Sequence, residues 1–182
     1  MNWDKRGILS ATDTQINKQN YYYSKTTTMT NYWLFKSEPT SFSIHNLKNC
    51  KQQTTSWDGV RNYQARNFLR DECKLHNQIL FYHSNADPPS VVGTATITKE
   101  SYPDSTAFDP KHHHYDPKSN PLKPTWYMVN ITLKSIFKRP VSLPEIKEHP
   151  KLQNMTLVKP GTRLSIQKIT ALEFEEIVNM GT

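Results

Sequence analysis

Short apolar segments that end at prolines or polar turns are the feature that most limits how this chain can fold. The 182 residues include 12 prolines and 5 glycines. Proline lacks a backbone N–H and disfavours a helical residue before it, so it ends helices and strands. The segments richest in aromatic and β-branched residues, which predict strands, are 31–36, 78–83, 90–99, 125–138 and 164–169. The pattern predicts many short strands joined by loops and argues against a helical bundle.

The length and charge of the chain limit its class and its partners. A chain of 182 residues can bury a sizeable core as one domain. Its 23 Lys and Arg residues outnumber 16 Asp and Glu residues, and the formal net charge of +7 favours polyanionic partners without specifying a fold. Cys50 and Cys73 match no metal or redox spacing, which indicates free thiols in a reducing intracellular setting. Since no apolar run is long enough to cross a bilayer, we expect no membrane partner.

The N-terminal segment differs in composition from the rest of the chain. Residues 1–30 are rich in Asn, Gln, Thr, Ser and Lys and contain few aliphatic side chains. Such a segment cannot bury enough apolar area to offset the entropy that is lost on ordering. We therefore predict a disordered N-terminal extension over 1–30 and one folded domain over 31–182.

One stretch of the chain combines an aromatic side chain, a turn and a short basic helix. Trp57 precedes an Asp-Gly pair, which is typical of a turn. Asn62 is a good helix N-cap, and no Gly or Pro follows it closely. Arg66 and Arg70 share one face of the predicted helix, while Arg61 lies just before it. A base-stacking aromatic beside phosphate-binding cations suits a nucleic acid, although a surface helix with solvated arginines explains the same pattern.

A long connection over 102–124 contains five prolines and three consecutive histidines, His112, His113 and His114. Loops of this length are uncommon and are often functional. Adjacent histidines can bind a metal, but strong metal sites take ligands at set spacings from several elements. We therefore expect no metal site here, and the sequence indicates no cofactor.

Six strings of residues occur in order along the chain and carry a resemblance to a known family. They are YWLFKSEP at 32–39, WDGVRNYQARN at 57–67, FYHSN at 81–85, YPD at 102–104, HYD at 114–116 and LSIQ at 164–167. Together they closely resemble the EVE domain family, from Tyr32 to about Val178. The resemblance implies an α+β, PUA-like fold, which is a curved β-barrel of about five to six strands with short flanking helices. It also implies a domain that binds a modified base, especially a modified cytosine in DNA, and that is related to the YTH readers of methylated adenine.

A reader of a modified base must take that base out of the stack, because a closed duplex hides most base edges. In such a pocket Glu38 would accept from the exocyclic amine of cytosine, and Val60 would line an apolar recess for a methyl group. The residues that we expect in the modified-base pocket are Trp33, Lys36, Ser37, Glu38, Trp57, Val60, Asn62, Tyr82, His83, Ser84, Asn85 and Ser165. The residues that we expect to contact phosphates are Arg61, Arg66 and Arg70.

Two other functions stay open at the level of sequence. Related PUA-like domains include small amidohydrolases that act on acylated cytosine, and Lys36, Ser37 and Glu38 offer the residue types for that chemistry. Because consecutive strand residues alternate between faces, the three converge only where the strand bends. No nucleophile elbow or phosphate loop occurs elsewhere, so we expect a domain that is not an enzyme. The third function is an adaptor that binds protein through Tyr115 and the proline-rich loop.

The resemblance and the charge together set the expected partner and location. We expect a monomer that binds nucleic acid, DNA rather than RNA, at a site with a modified base. We expect a nuclear location in a eukaryote and a cytoplasmic location in a bacterium.

Overall fold

The computed structural model describes residues 30–182, so the predicted N-terminal extension lies outside the described residues except for Thr30, and its disorder stays a prediction. The strands are β1 Tyr32–Ser37, β2 Thr54–Trp57, β3 Gln78–His83, β4 Ser90–Pro103, β5 Tyr127–Ser142 and β6 Ile166–Ile169. The α-helices are α1 Ile44–Asn49, α2 Tyr63–Asn67, which continues as a π-helical turn over Phe68–Glu72, α3 Leu143–Glu148 and α4 Ala171–Gly181. Short 3-10 helices lie at Lys51–Gln53, Ser105–Ala107, Pro150–Leu152 and Thr156–Val158. Within residues 30–182, no helix combines the length and the apolar character that crossing a membrane requires.

All six strands belong to one mixed sheet in the order β2-β5-β4-β3-β1-β6. β1 and β3 are parallel, and every other neighbouring pair is antiparallel. The expected α+β class and the expected number of strands are confirmed. The sheet is not closed into a barrel, because β2 and β6 form its two edges.

Both faces of the sheet are buried, which explains why β1 and β3 are apolar along nearly their whole length. Trp33 and Phe35 of β1 pack in one core with α1 and α2, whereas Leu34 packs in a second core with α3 and α4. Successive strand residues point to opposite faces, so a strand between two cores has no polar face. The chain thus forms three layers, with the sheet in the middle.

Local sequence signals set the helix boundaries. Ser43 is the N-cap of α1. Asn62 is the N-cap of α2, and its side-chain oxygen accepts from the Ala65 N–H at 3.0 Å. Thr170 is the N-cap of α4, and Glu173 completes a capping box with it. The cap at Asn62 agrees with the cap that the sequence predicts.

One strand differs from the sequence-based expectation. The polar segment up to Thr55 reads as a loop, but Thr54–Trp57 forms edge strand β2 and pairs with β5. Cross-strand hydroxyl contacts compensate for the missing apolar pattern, as in the 2.7 Å hydrogen bond between the Thr54 and Thr132 side chains. Trp57 is the last residue of β2, so its side chain lies at the point where this edge strand ends.

The position of Trp33 gives a test of the core. Trp33 is fully buried, and its Nε1–H donates to Asn77 Oδ1 at 3.0 Å. We expect Trp33→Ala to lower the free energy of unfolding by about 3–5 kcal/mol, because it leaves a large cavity. Leu122→Ala is the control, since Leu122 is 95% exposed and should change stability by less than about 0.5 kcal/mol. Urea unfolding measures both, and equal stability of the two variants would contradict this packing.

Candidate functional site

A cavity of about 520 Å³ opens where β1 and β2 end, next to the start of β6. Its volume lies within the range of about 300–1,000 Å³ that is usual for small-ligand sites. Its walls come from five separate segments of the chain. They consist of Lys36, Ser37, Glu38, Ser41, Phe42, Thr55, Ser56, Trp57, Asp58, Gly59, Val60, Arg61, Asn62, His113, His114 and Ser165.

The end of β1 brings three neighbouring residues to this one cavity. Lys36 and Ser37 are the last residues of the strand, and Glu38 starts the following turn. All three line the cavity wall, Lys36 and Ser37 from the last two positions of the strand and Glu38 from just beyond it. Ser165 joins them because its carbonyl accepts from the Lys36 backbone N–H at 2.9 Å.

Trp57 belongs both to the cavity wall and to the core. Its ring lies 5.3 Å from the Phe35 ring and 5.4 Å from the Phe81 ring, the latter edge to face. Trp57 is 8% exposed, and it lines the cavity. The aromatic wall is therefore held rigidly by core packing before any ligand arrives.

The turn after Trp57 is fastened by a buried carboxylate. Asp104 is fully buried, and its Oδ2 accepts from the Gly59 N–H at 3.0 Å and from Arg61 Nη1 at 2.7 Å. Its Oδ1 accepts from the backbone N–H and the hydroxyl of Thr106. Burial disfavours the ionised form, but these hydrogen bonds and the Arg61 charge outweigh burial and lower the pKa of Asp104.

Arg61 has a different role from the phosphate contact that the sequence predicts. Besides Asp104, its guanidinium donates to the His114 carbonyl and to the Thr106 hydroxyl. A guanidinium with this many internal acceptors has little capacity left for a phosphate. Arg61 therefore joins the turn to the proline-rich loop rather than gripping a nucleic-acid backbone.

The proline-rich loop packs directly on the same turn. Gly59 has φ +72°, and a Cβ at this position would collide with the His114 ring. Glycine is thus required twice, for the backbone conformation and for the close approach. Burial, together with the nearby His113 and the charge of Arg61, lowers the pKa of His114.

The three histidines are the residues that could hold a metal ion. In residues 30–182 they form the one group whose ligand atoms all lie within 4.8 Å of one another. Tetrahedral zinc with bonds of about 2.0–2.1 Å would need its nitrogens about 3.3 Å apart, so the rings would have to rotate. The expectation of no metal site stays a prediction.

Two of the predicted pocket aromatics do not reach the cavity. Trp33 lies in the core between the sheet and α2, 5.6 Å from the Phe68 ring. Tyr82 is 3% exposed and faces the second core, and burial raises its pKa to about 12. Strand alternation explains both positions, because Trp33 shares its face of the sheet with Phe35 of the first core, and Tyr82 shares its face with Leu80 of the second core.

The residues at the end of β3 support the cavity from behind rather than line it. His83 Nε2 accepts from the Ile44 N–H at 3.1 Å at the start of α1, and burial, with the nearby His45, lowers the pKa of His83. The Ser84 N–H donates to the Ser37 carbonyl. Asn85 donates to Glu38 Oε1 at 3.0 Å and so orients a residue of the wall. We therefore remove these three residues from the set that contacts a ligand.

Several wall residues are not among those that the sequence predicts. They are Ser41, Phe42, Thr55, Ser56, Asp58, Gly59, His113 and His114. Asp58, Gly59 and His114 lie within the family strings, so their position there could have identified them. Phe42 and Thr55 carry no such signal and come to the cavity through the fold alone.

In the α2 region Arg66 is half-buried and Arg70 is exposed, and both have partners within the chain. Arg66 Nη1 donates to the Thr125 carbonyl at 3.1 Å, and Arg70 pairs with Asp71 at 2.8 Å. Their contact with phosphates stays a prediction, which would require Arg70 to exchange its partner.

Comparisons with known proteins extend the resemblance over the described domain. A family model named EVE domain matches residues 31–180. Thymocyte nuclear protein 1 of Gallus gallus is 46% identical over 166 residues, which cover 82% of this chain and 68% of that protein. The Homo sapiens protein of the same name is 43% identical over 169 residues, which cover 84% of this chain and 74% of that protein.

Solved structures show the same fold at similar identity. The crystal structure of human THYN1 in complex with DNA that contains 5-methylcytosine has a TM-score of 0.77 at 41% identity, covering 83% of this chain and 97% of that one. A hypothetical protein from Leishmania major has a TM-score of 0.78 at 40% identity, covering 83% of this chain and 94% of that one.

The buried carboxylate predicts a specific dependence of stability on pH. We expect Asp104→Asn to lower the free energy of unfolding at pH 7 by about 3–5 kcal/mol, because it leaves Arg61 without its counter-charge. The pKa of Asp104 is lowered by folding, so its contribution is present above its unfolded pKa of about 3.9 and is lost as pH falls through the folded value. The difference in the free energy of unfolding between the parent and the Asp104→Asn variant should therefore shrink below about pH 4.

Urea unfolding at pH 7 and at pH 3 measures this gap. Asp109→Asn is the control, because Asp109 is an exposed carboxylate in the same loop. A gap that is unchanged at pH 3 would show that the ionised carboxylate does not hold the turn.

Proposed function

This chain belongs to the EVE domain family, and we propose that it is a non-catalytic reader of modified cytosine in DNA. The observation that carries the proposal is the cavity of about 520 Å³ with Trp57 and polar groups in its wall. A second support is the similarity to human THYN1, whose structure contains 5-methylcytosine DNA. We propose the nucleus as its location, because the relatives carry the name thymocyte nuclear protein.

A flipped cytosine needs a stacking surface, polar partners and space for its 5-substituent. We assign stacking to Trp57, whose ring is fixed by the core. Glu38 would accept from the exocyclic amine, since Asn85 occupies only one of its oxygens. Val60 and Phe42 line the same cavity and supply apolar surface for a methyl group.

The remaining polar groups suit the other edge of the base. Lys36, Asn62 and Ser165 lie in the cavity wall and offer donors for the carbonyl oxygen and the ring nitrogen of cytosine. Asn62 already accepts from the Ala65 N–H with its Oδ1, so its amide group remains to donate. Burial lowers the pKa of Lys36, so the cost of burying its charge favours a hydrogen-bonding partner in the cavity.

The same geometry argues against the alternative amidohydrolase. A catalytic serine must pass its proton to a base within hydrogen-bonding reach. The Ser37 hydroxyl instead donates to the Phe42 carbonyl at 2.8 Å, and Lys36 Nζ lies 5.7 Å from the centre of the Tyr82 ring. We therefore assign these residues to binding. The adaptor function has no comparable support in the structure.

The central test replaces Trp57 by leucine, which keeps an apolar side chain but removes the stacking surface. We expect the affinity for a single-stranded oligonucleotide with one 5-methylcytosine to fall about ten- to a hundredfold, because stacking on an aromatic is worth about 1–3 kcal/mol per base. Fluorescence anisotropy with modified and unmodified oligonucleotides measures the affinity and the preference.

Trp33→Leu is the matched control, because Trp33 is a buried tryptophan outside the cavity wall. Both variants should lose stability, and both are assayed well below their melting temperatures. The assignment is wrong if Trp57→Leu keeps the preference for the modified base, or if Trp33→Leu loses it equally.

A second experiment tests the phosphate contacts. Each phosphate contact adds about 0.9 to the slope of log affinity against log salt on duplex DNA. If Arg66 and Arg70 both contact phosphates, replacing them by alanine should reduce the slope by about 1.8. Arg139→Ala is the control, as Arg139 is an exposed arginine of β5. An unchanged slope in the double variant would exclude these contacts.

A further inference from the structure

An exposed tyrosine lies directly beside the cavity and has no role in the function proposed so far. Tyr63 is 62% exposed, which exceeds the exposure of every other aromatic residue in 30–182. It is the first residue of α2 and follows Asn62, which lines the cavity. Single exposed aromatic residues are common on protein surfaces, so the neighbours of Tyr63 must decide whether its ring has a role.

The ring of Tyr63 is supported from beneath by a buried tryptophan. It stacks on Trp126 with ring centres 5.1 Å apart and an interplanar angle of 30°. Trp126 is 5% exposed, and its Nε1–H donates to Asp116 Oδ2 at 2.6 Å. This hydrogen bond joins Trp126 to the proline-rich loop, so the support cannot rotate freely.

A positive charge is fixed next to the same ring. The guanidinium of Arg66 lies 4.8 Å from the centre of the Tyr63 ring and 5.9 Å from that of Trp126. Its Nη1 donates to the Thr125 carbonyl, one residue before Trp126. The group combines a rigid, accessible aromatic surface with a cation, which is the arrangement that binds single-stranded nucleic acid without reading its sequence.

We propose that Tyr63 is a second stacking subsite, which takes the nucleobase next to the one in the cavity. The proposal rests on the function proposed above. Extruding one base removes a stacking partner from its neighbour in the strand, at a cost of unstacking. Tyr63 directly follows Asn62 of the cavity wall, and its exposed ring offers the neighbouring base a surface that can replace the lost stacking partner.

This subsite differs from the cavity in what it recognises. Stacking depends on the π-face that every base has, so Tyr63 should add affinity without adding selectivity for a modification or a sequence. The cavity decides which base is bound, and Tyr63 lowers the cost of extruding it.

The experiment places 2-aminopurine next to a single 5-methylcytosine in an oligonucleotide, since stacking quenches its fluorescence. We expect the emission at saturating protein to be higher with Tyr63→Ala than with the parent, and Tyr63→Phe to behave as the parent does. We expect Tyr63→Ala to lose about ten- to a hundredfold in affinity for modified and unmodified strands alike. The ratio of the two affinities should stay unchanged.

Tyr115→Ala is the matched control, because Tyr115 is 41% exposed and lies in the proline-rich loop. It should leave both emission and affinity unchanged. If Tyr63→Ala matches the parent in emission and affinity, or if Tyr115→Ala has the same effect, the subsite is refuted. If the parent protein binds modified and unmodified oligonucleotides equally, the proposed function is refuted, but the emission still tests the stacking subsite. If the parent binds neither oligonucleotide, both the proposed function and the subsite are refuted.

Discussion

The buried carboxylate of Asp104 is the constraint on which the geometry of the site depends. An ionised carboxylate out of water is costly unless several donors surround it. Here the donors come from the turn at Gly59, from Arg61 and from Thr106. These hydrogen bonds to Asp104 fix the turn and the proline-rich loop relative to each other. The part of the cavity wall that the turn and the proline-rich loop form therefore depends on one buried charge.

The wall residue Trp57 shows how the site uses the stability of the fold. Its contacts with Phe35 and Phe81 are core contacts, so the ring loses little further freedom when a ligand binds. Preorganisation of this kind improves affinity, because less entropy is lost on binding. It also means that substitutions at this position alter folding and binding together, and neither measurement alone can identify the role of the residue.

The sequence predicted what is local and missed what depends on distant partners. The strand over 78–83 and the cap at Asn62 follow from nearby residues, and the structure has them where expected. Edge strand β2 was missed because its stability comes from pairing with β5 rather than from an apolar pattern. The role of Arg61 was missed because its partner is 43 residues away. In the cavity, Lys36, Ser37 and Glu38 line the wall, and their contact with a modified base stays a prediction.

The internal partners of the arginines change what the net charge of +7 means for binding. Arg61 is held by Asp104, and Arg70 pairs with Asp71 on the surface. The positive charge of the turn and the helix is thus partly neutralised before any phosphate approaches. The exposed Arg70–Asp71 pair adds little attraction for a phosphate, because salt screens exposed charges. Stacking does not suffer this loss, because it requires a π-face rather than an unpaired charge. The excess of basic residues suggests that attraction to phosphates dominates binding. We expect stacking on the aromatic surfaces to contribute more than that excess suggests.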